Sequence, residues 1–372
     1  MKIAAVSVVR NAADIIAINL LHHFSSGIDA MYVVDHKSAD GTDAVLARAA
    51  RRFPLRWTRY DGHFVQGEIL TELARLAQRE GADWIVPIDA DEFWWTPQGD
   101  LRSQLAAIDA AAINCGVVHF VQRRDVDEPR QQGLLTMTRR PEKEVGALVD
   151  AHELVRSRRA AFVEVPFPAK WIVRSSPSLE IRRGSHEVFG VHGRSVQSNE
   201  IQCLHAPLRA KSVLGGRVEH GEQLAVMDPD PEIGWQVRWF RSAAAAGTLD
   251  AEWSANSYAE ESLDVHGRRR PVIEDHRLRE ICARWLCDEL VAGVARDDTP
   301  TRPDAVDVEM RECVRVAEVR GMERRLQSAM IAVAERDAII ADVGRSLPGR
   351  IYKRLAKNRA VRRLMRFAAG LR

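Results

Sequence analysis

Asp83-Trp84-Ile85-Val86-Pro87-Ile88-Asp89-Ala90-Asp91-Glu92-Phe93 decides the reading of this chain. Five apolar residues, Trp84 to Ile88, run directly into three carboxylates in four positions. A short continuous apolar run bounded by polar residues reads as a strand buried on both faces, as in a parallel sheet. Ligands of open α/β sheets bind beyond the carboxyl ends of such strands. Asp89 and Asp91, two apart where the strand runs out, are placed to reach one hard cation. Mg²⁺ and Mn²⁺ take oxygen ligands and often share their shell with substrate phosphates. The competing structural reading is a turn and helix cap, which uses the same residue types.

The segments upstream repeat the pattern. Ile3 to Val9 is a Val-rich apolar run ending at Arg10-Asn11, and Ala13 to Phe24 follows with helical spacing. Ala30 to Val34 reads as a second strand entering the turn Asp35-His36-Lys37-Ser38-Ala39-Asp40-Gly41-Thr42. A helix over Asp43 to Arg52, a strand over Leu55 to Tyr60, a helix over Gly67 to Glu80 and the Trp84 to Ile88 strand complete the series. Strand and helix alternating in this way predict an α/β layered domain with a mainly parallel sheet. Its strand ends at Arg10-Asn11, Asp35 to Thr42 and Asp89 to Glu92 are expected to converge on one edge.

Beyond Ala112 the apolar runs shorten. Gly116 to Val121, Phe162 to Val165, Trp171 to Val173 and Ile201 to Leu204 are expected as further strands. Leu208 to Gly221 and Trp235 to Val294 are expected to be largely helical. Ala295 to Pro303 reads as a linker, and Val319, Met322, Leu326, Ala329, Val333 and Ile340 mark an a/d-like stripe of about three heptads. The domains read as 1–225, a nucleotide-binding α/β domain; 226–298, a helical extension; 299–344, a linker with a short coiled-coil-like helix; and 345–372, a basic amphipathic tail.

Charge is distributed unevenly. Formal net charge is +2, yet residues 345–372 hold ten Lys or Arg and no acid, leaving about −8 on the rest. A basic amphipathic helix is suited to an anionic membrane surface, so peripheral contact with the inner face of a membrane is expected from 345–372. The sparse aromatics of the tail and the acidic body argue against nucleic acid as a partner. The 316–343 stripe suggests a homodimer. Five scattered cysteines without metal-ligand spacing read as reduced thiols of a cytoplasmic protein, and neither a secretory signal nor a spanning segment is expected.

Val6 to Asn11, Tyr32 to Thr42 and Asp83 to Phe93, in this order and spacing, resemble the family-2-like glycosyltransferases. Pro168 to Arg174, Gly184 to Val188 and Leu204 to Arg209 resemble later blocks of the same group, so the likeness covers about the first 220 residues. It implies a GT-A fold, a nucleotide-diphosphate sugar donor, and transfer with inversion to a hydroxyl on a glycan or lipid-linked acceptor. Asp35 would then bind the nucleotide, while Asp89 and Asp91 bind the metal diphosphate with Mn²⁺ or Mg²⁺. Arg10 and Asn11 are further nucleotide contacts, Lys170 and His186 are candidates for the phosphates, and His205 for a third metal ligand. Glu92, Asp150 and Glu153 are candidate bases. Trp94 and Trp95 are candidates to stack on an acceptor sugar. The chain departs from the family at Ala12, where Glu is common, and at Gln122-Arg123-Arg124-Asp125, where a small-residue segment is expected. A nucleotidyltransferase would carry a Gly-rich loop after the first strand, and Val8-Val9-Arg10-Asn11-Ala12-Ala13 has none. A catalytically inactive scaffold is the remaining alternative.

Overall fold

The computed structural model describes residues 1–227, 234–293 and 307–345. The chain opens with β1 (Ile3–Val9), α1 (Ile16–Ser25), β2 (Ala30–His36), α2 (Thr42–Ala50), β3 (Leu55–Tyr60) and α3 (Gln66–Arg79). β4 (Trp84–Pro87), β5 (Glu92–Trp95), α4 (Leu101–Ala107), β6 (Ala112–His119), β7 (Gln122–Arg123), β8 (Arg139–Pro141) and α5 (Ala151–Arg156) follow. Then come β9 (Lys170–Arg174), β10 (Glu180–Ile181), β11 (Val188–Phe189), β12 (Ser195–His205), α6 (Val213–Met227), α7 (Trp235–Ala245) and α8 (Leu249–Asn256). β13 (Ser257–Ala259), β14 (Ser262–Val265), β15 (Arg268–Glu274), α9 (Arg277–Trp285), α10 (Glu289–Ala292) and α11 (Val308–Arg345) complete the described chain.

The central sheet has eight strands in the order β3-β2-β1-β4-β9-β6-β12-β5. Pairing is parallel from β3 through β4 and between β6 and β12, and antiparallel for β9 with both its neighbours and for β5 with β12. Six strands therefore end at the same edge at which β9 and β5 begin. Alternation along β1 fills both faces. Ile3, Ala5 and Val9 pack with α1 and α2 on one side, while Ala4, Val6 and Val8 pack with α3 on the other. This is the α/β fold class expected, a large mixed sheet flanked by helices with helical segments toward the C-terminus.

Several local expectations are corrected. Phe162–Glu164 is a 3₁₀ turn, not a strand, and β12 is eleven residues long, starting well before Ile201. Residues 235–293 carry the expected helices α7 to α10, but β13, β14 and β15 interrupt them with an unexpected meander that joins β7 and β8 in a second sheet. The meander turns through two-residue loops, Glu260-Glu261 (φ 47° and 57°) and His266-Gly267 (φ 52° and 85°). Left-handed pairs of this kind favour Asn-Gly or Asp-Gly, and a Glu-Glu pair carries no such signal. A separate core of Phe162, Phe240, Trp253, Leu263 and neighbours lies beneath this sheet.

Contacts divide the chain into two units, Met1–Ala317 and Glu318–Arg372. The start of α11 belongs to the first, with Met310, Cys313, Val314 and Ala317 buried beside α3. In the second, Val319, Met322, Leu326 and Val333 are about half exposed or more. The basic tail lies outside the described residues. No helix among those described is long and apolar enough to cross a membrane.

Candidate active site

The loops after β1 and β2 are bolted together by backbone bonds to short polar side chains. Asn11, at φ 46°, accepts the Ala39 N–H on its Oδ1, and its own N–H donates to Ser38 Oγ. The Ala12 and Ala13 N–H groups donate to Thr42 Oγ1 and Asp40 Oδ2. Asp40 and Thr42 thus serve the structural role their turn chemistry suggests. Arg10, Asn11 and Asp40 also line a cleft of about 960 Å³. Asp35 is fully buried at the end of β2, where burial raises its pKa; Oδ1 accepts the Ser38 N–H and Oδ2 lies 3.6 Å from Arg59.

The loop between β4 and β5 is held from beneath by α1. Asn19 Nδ2 donates to the carbonyls of Ala90 at 3.1 Å and Glu92 at 2.7 Å, and lies 3.4 Å from that of Asp89. β5 is the last strand of the sheet, and α1 satisfies its open edge. His22 Nε2 donates to the Trp94 carbonyl, and the Trp94 N–H donates to His23 Nε2. The His23 ring must be neutral to accept on Nε2, whereas His22 needs only a proton on Nε2. Burial favours the neutral form of both, pulling His22 down to about 4 and lowering His23 as well.

Above this frame the carboxylates separate into two environments. Lys170, first residue of β9 and fully buried, places its ammonium 2.8 Å from both Asp89 Oδ2 and Glu92 Oε1. Burial would lower its pKa, but the two carboxylates outweigh this and raise it. Gln66 donates to Asp89 Oδ1, and the Asp89 N–H donates to Glu92 Oε2. Burial raises the Glu92 pKa. Lys170 is therefore an internal counter-ion, not a free cation for phosphate.

Asp91 stands apart. His205 Nε2 lies 3.6 Å and Arg209 3.8 Å from its Oδ2. Burial would raise its pKa, but His205, Arg209 and Arg217 hold it well below the usual carboxylate range. Arg209 is fixed by a two-pronged ion pair with Asp14 at 2.6 and 3.0 Å. Asp91, Arg217 and His220 line both the large cleft and a second chamber of about 440 Å³, which Phe162, Phe167 and Trp235 line with His186 and Glu92. Burial pulls His186 down to about 4, and its Nδ1 faces the Ala169 carbonyl.

The remaining sequence candidates lie elsewhere. Trp94 is buried in the main core with its indole N–H on the Pro87 carbonyl, and Trp95 lies beneath the Arg277 guanidinium. β5 begins at the site and runs away from it, and neither tryptophan lines the large cleft or the second chamber. Glu153 is exposed and paired to Arg156, and Asp150 accepts the Ala147 N–H. Of the three candidate bases, Glu92 lines the second chamber. Asn19, Gln66, Arg209, Arg217 and Phe167 carried no role in the sequence reading. Only Arg209 stood within a quoted block.

Among the described residues no three His, Cys, Asp or Glu form a complete protein ligand set for a metal. Asp91 and His205 nevertheless fit a divalent cation that completes its shell with phosphate and water. Asp91 is held ionised, and His205 Nδ1 is buried without a hydrogen-bond partner. Asp89 has both oxygens engaged.

Neither a protein-family profile nor a curated protein matches the chain. Among solved structures it is similar to S. aureus TarS 1-349 in complex with UDP, at 12% identity over 70% of this chain and 77% of that one, TM-score 0.32. The complex of the same protein with UDP-GlcNAc matches at 12% identity over the same shares, TM-score 0.34. A putative glucose-1-phosphate thymidylyltransferase from Bacillus anthracis matches at 10% identity over 34% of this chain and 58% of that one, TM-score 0.25. The α/β class rests on the strand order and register themselves.

Proposed function

We propose that the protein is a GT-A glycosyltransferase that moves a sugar from a nucleoside diphosphate to a hydroxyl acceptor with inversion, using Mn²⁺ or Mg²⁺. The observation that supports this best is the position of Asp91, ionised and shared between a charged cleft and an aromatic chamber at the edge where six strands end. The nucleotide lies in the larger cleft, against the joined loops after β1 and β2. The lining of that cleft has four arginines and four carboxylates, so a diphosphate would bring uncompensated negative charge. Asp91 and His205 would hold a divalent cation, which would supply the missing charge beside the departing diphosphate. Arg209 and Arg217 face the same group.

The acceptor enters from the smaller chamber. Its hydroxyl oxygen bonds to the anomeric carbon as the bond from that carbon to the diphosphate oxygen breaks, and the proton passes to Glu92. A buried carboxylate with a raised pKa is suited to proton acceptance. One displacement inverts the anomeric centre. Asn19, Gln66 and Lys170 hold the loop so that Asp91 and Glu92 need no rearrangement during the reaction.

The test is thermal stabilisation by UDP-, GDP- and dTDP-sugars with and without Mn²⁺, in the wild type and in Asp91→Asn. Stabilisation that requires both the metal and Asp91 is expected from one nucleotide series. Folded wild-type protein that no donor stabilises would reject the proposal.

A further inference from the structure

The smaller chamber has a polarity gradient that a free sugar does not match. At the sheet edge it presents Asp89, Asp91, Glu92, His186 and His205, and the Arg217 guanidinium reaches over the Phe162 ring, 5.5 Å from its centroid. From there a run of rings leads outward. Phe167 lies 5.4 Å from His205, Phe162 lies 6.4 Å from Phe167, and Trp235 lies 6.3 Å from Phe162, centroid to centroid. His152 stacks on Trp235 at 5.4 Å, covering one of its faces. Among the described residues, the end built by α7 and the turn before α5 offers the chamber one polar side chain, Gln236. The lip of that end is the turn at Leu148-Val149-Asp150, where Leu148 is 53% and Val149 97% exposed. Large apolar side chains presented to solvent beside a pocket mark a contact surface. A buried sugar must find partners for each hydroxyl, whereas an alkyl chain needs none.

We infer that the acceptor is an amphiphile, its hydroxyl-bearing head at Asp91 and Glu92 and an extended alkyl segment along Phe167, Phe162 and Trp235 to the Leu148-Val149 lip. The run of three ring-to-ring steps is longer than a single aryl group and suits a chain. This inference rests on the glycosyl-transfer reading of the same site and names the acceptor class for it.

The experiment is calorimetric titration of the full chain with methyl and octyl β-D-glucopyranoside, the latter below its micelle-forming concentration. Full burial of one methylene strengthens binding roughly fourfold, so partial burial of the octyl chain is expected to give at least tenfold over methyl. The gain should carry a negative heat-capacity change. The exposed-lip variant Leu148→Ser/Val149→Ser, which leaves the core untouched, should cut the tail-dependent gain by half or more and leave methyl glucoside binding unchanged. Trp235→Ala should do the same. Equal binding of the two glycosides, no binding of either, or a gain that both variants preserve would overturn the inference. Donor stabilisation without a tail effect removes this inference alone, and a tail effect without donor stabilisation removes only the transfer reading.

Discussion

Asn19→Asp is the substitution that most sharply tests how the site is held. The two side chains have the same shape, but the variant replaces an NH₂ donor with an oxygen facing the carbonyls of Asp89, Ala90 and Glu92. Asn19 is 2% exposed, so water does not take over these bonds. An orphaned buried carbonyl costs about 1–3 kcal/mol. The Asp89 carbonyl keeps the Glu92 N–H at 3.0 Å, so the loss falls on the buried Glu92 and partly buried Ala90 carbonyls, about 2–4 kcal/mol. For a unit of this size that corresponds to a fall in Tm of roughly 3–6 °C. Differential scanning calorimetry reads the Tm, and donor-induced stabilisation read beside it should disappear, because the backbone carrying Asp91 loses its anchor. A Tm within about 1 °C of wild type, or full donor stabilisation in the variant, would refute the assignment of Asn19 as the support of this loop.

Lys170→Met leaves Asp89 and Glu92 buried against each other without their cation, a loss of about 3–5 kcal/mol; adding Glu92→Gln should recover part of it, as thermal unfolding will show. Acid should destabilise the fold through α1. Burial depresses the His22 pKa from 6.5 to about 4, so between those values the unfolded chain binds a proton that the folded chain does not. Stability is therefore complete above about 6.5 and declines as the pH falls toward 4, by about 3 kcal/mol at most from this ring. His22→Gln, which keeps a donor for the Trp94 carbonyl, should flatten the dependence of urea midpoints on pH in that window. Glu92→Gln should lower kcat far more than it alters donor binding, since its proposed part is to receive the acceptor's proton. Equal losses in both would remove it as the base.

The bounds of β1 and β3 are legible in the sequence to the residue, and those of β2, β4, α2 and α3 nearly so. Each is a local pattern: an apolar run closed by turn residues, or an apolar stripe at helical spacing. The three polar strand ends were legible for the same reason, because carboxylates directly after an apolar run stand out in one dimension. The meander β13 to β15 was not, since a Glu-Glu pair is an uncommon choice for its left-handed turn and period-2 alternation there is broken by arginines. Trp94 and Trp95 misled because adjacency to Asp91 says nothing about strand direction. β5 runs down from the edge and carries them into the sheet.

What the sequence determined by itself is the alternation of strand and helix and the chemistry offered at each strand end, since both depend on neighbours a few residues apart. Which carboxylate does what was decided by tertiary structure alone. Asp89 and Asp91 are two residues apart and chemically the same, yet Lys170, 81 residues beyond Asp89, neutralises one, while His205 and the two arginines keep the other ionised and facing both chambers. A side chain's charge state and accessibility are set by the groups that pack around it, and those groups are brought together only when β9 and β12 take their places in the sheet.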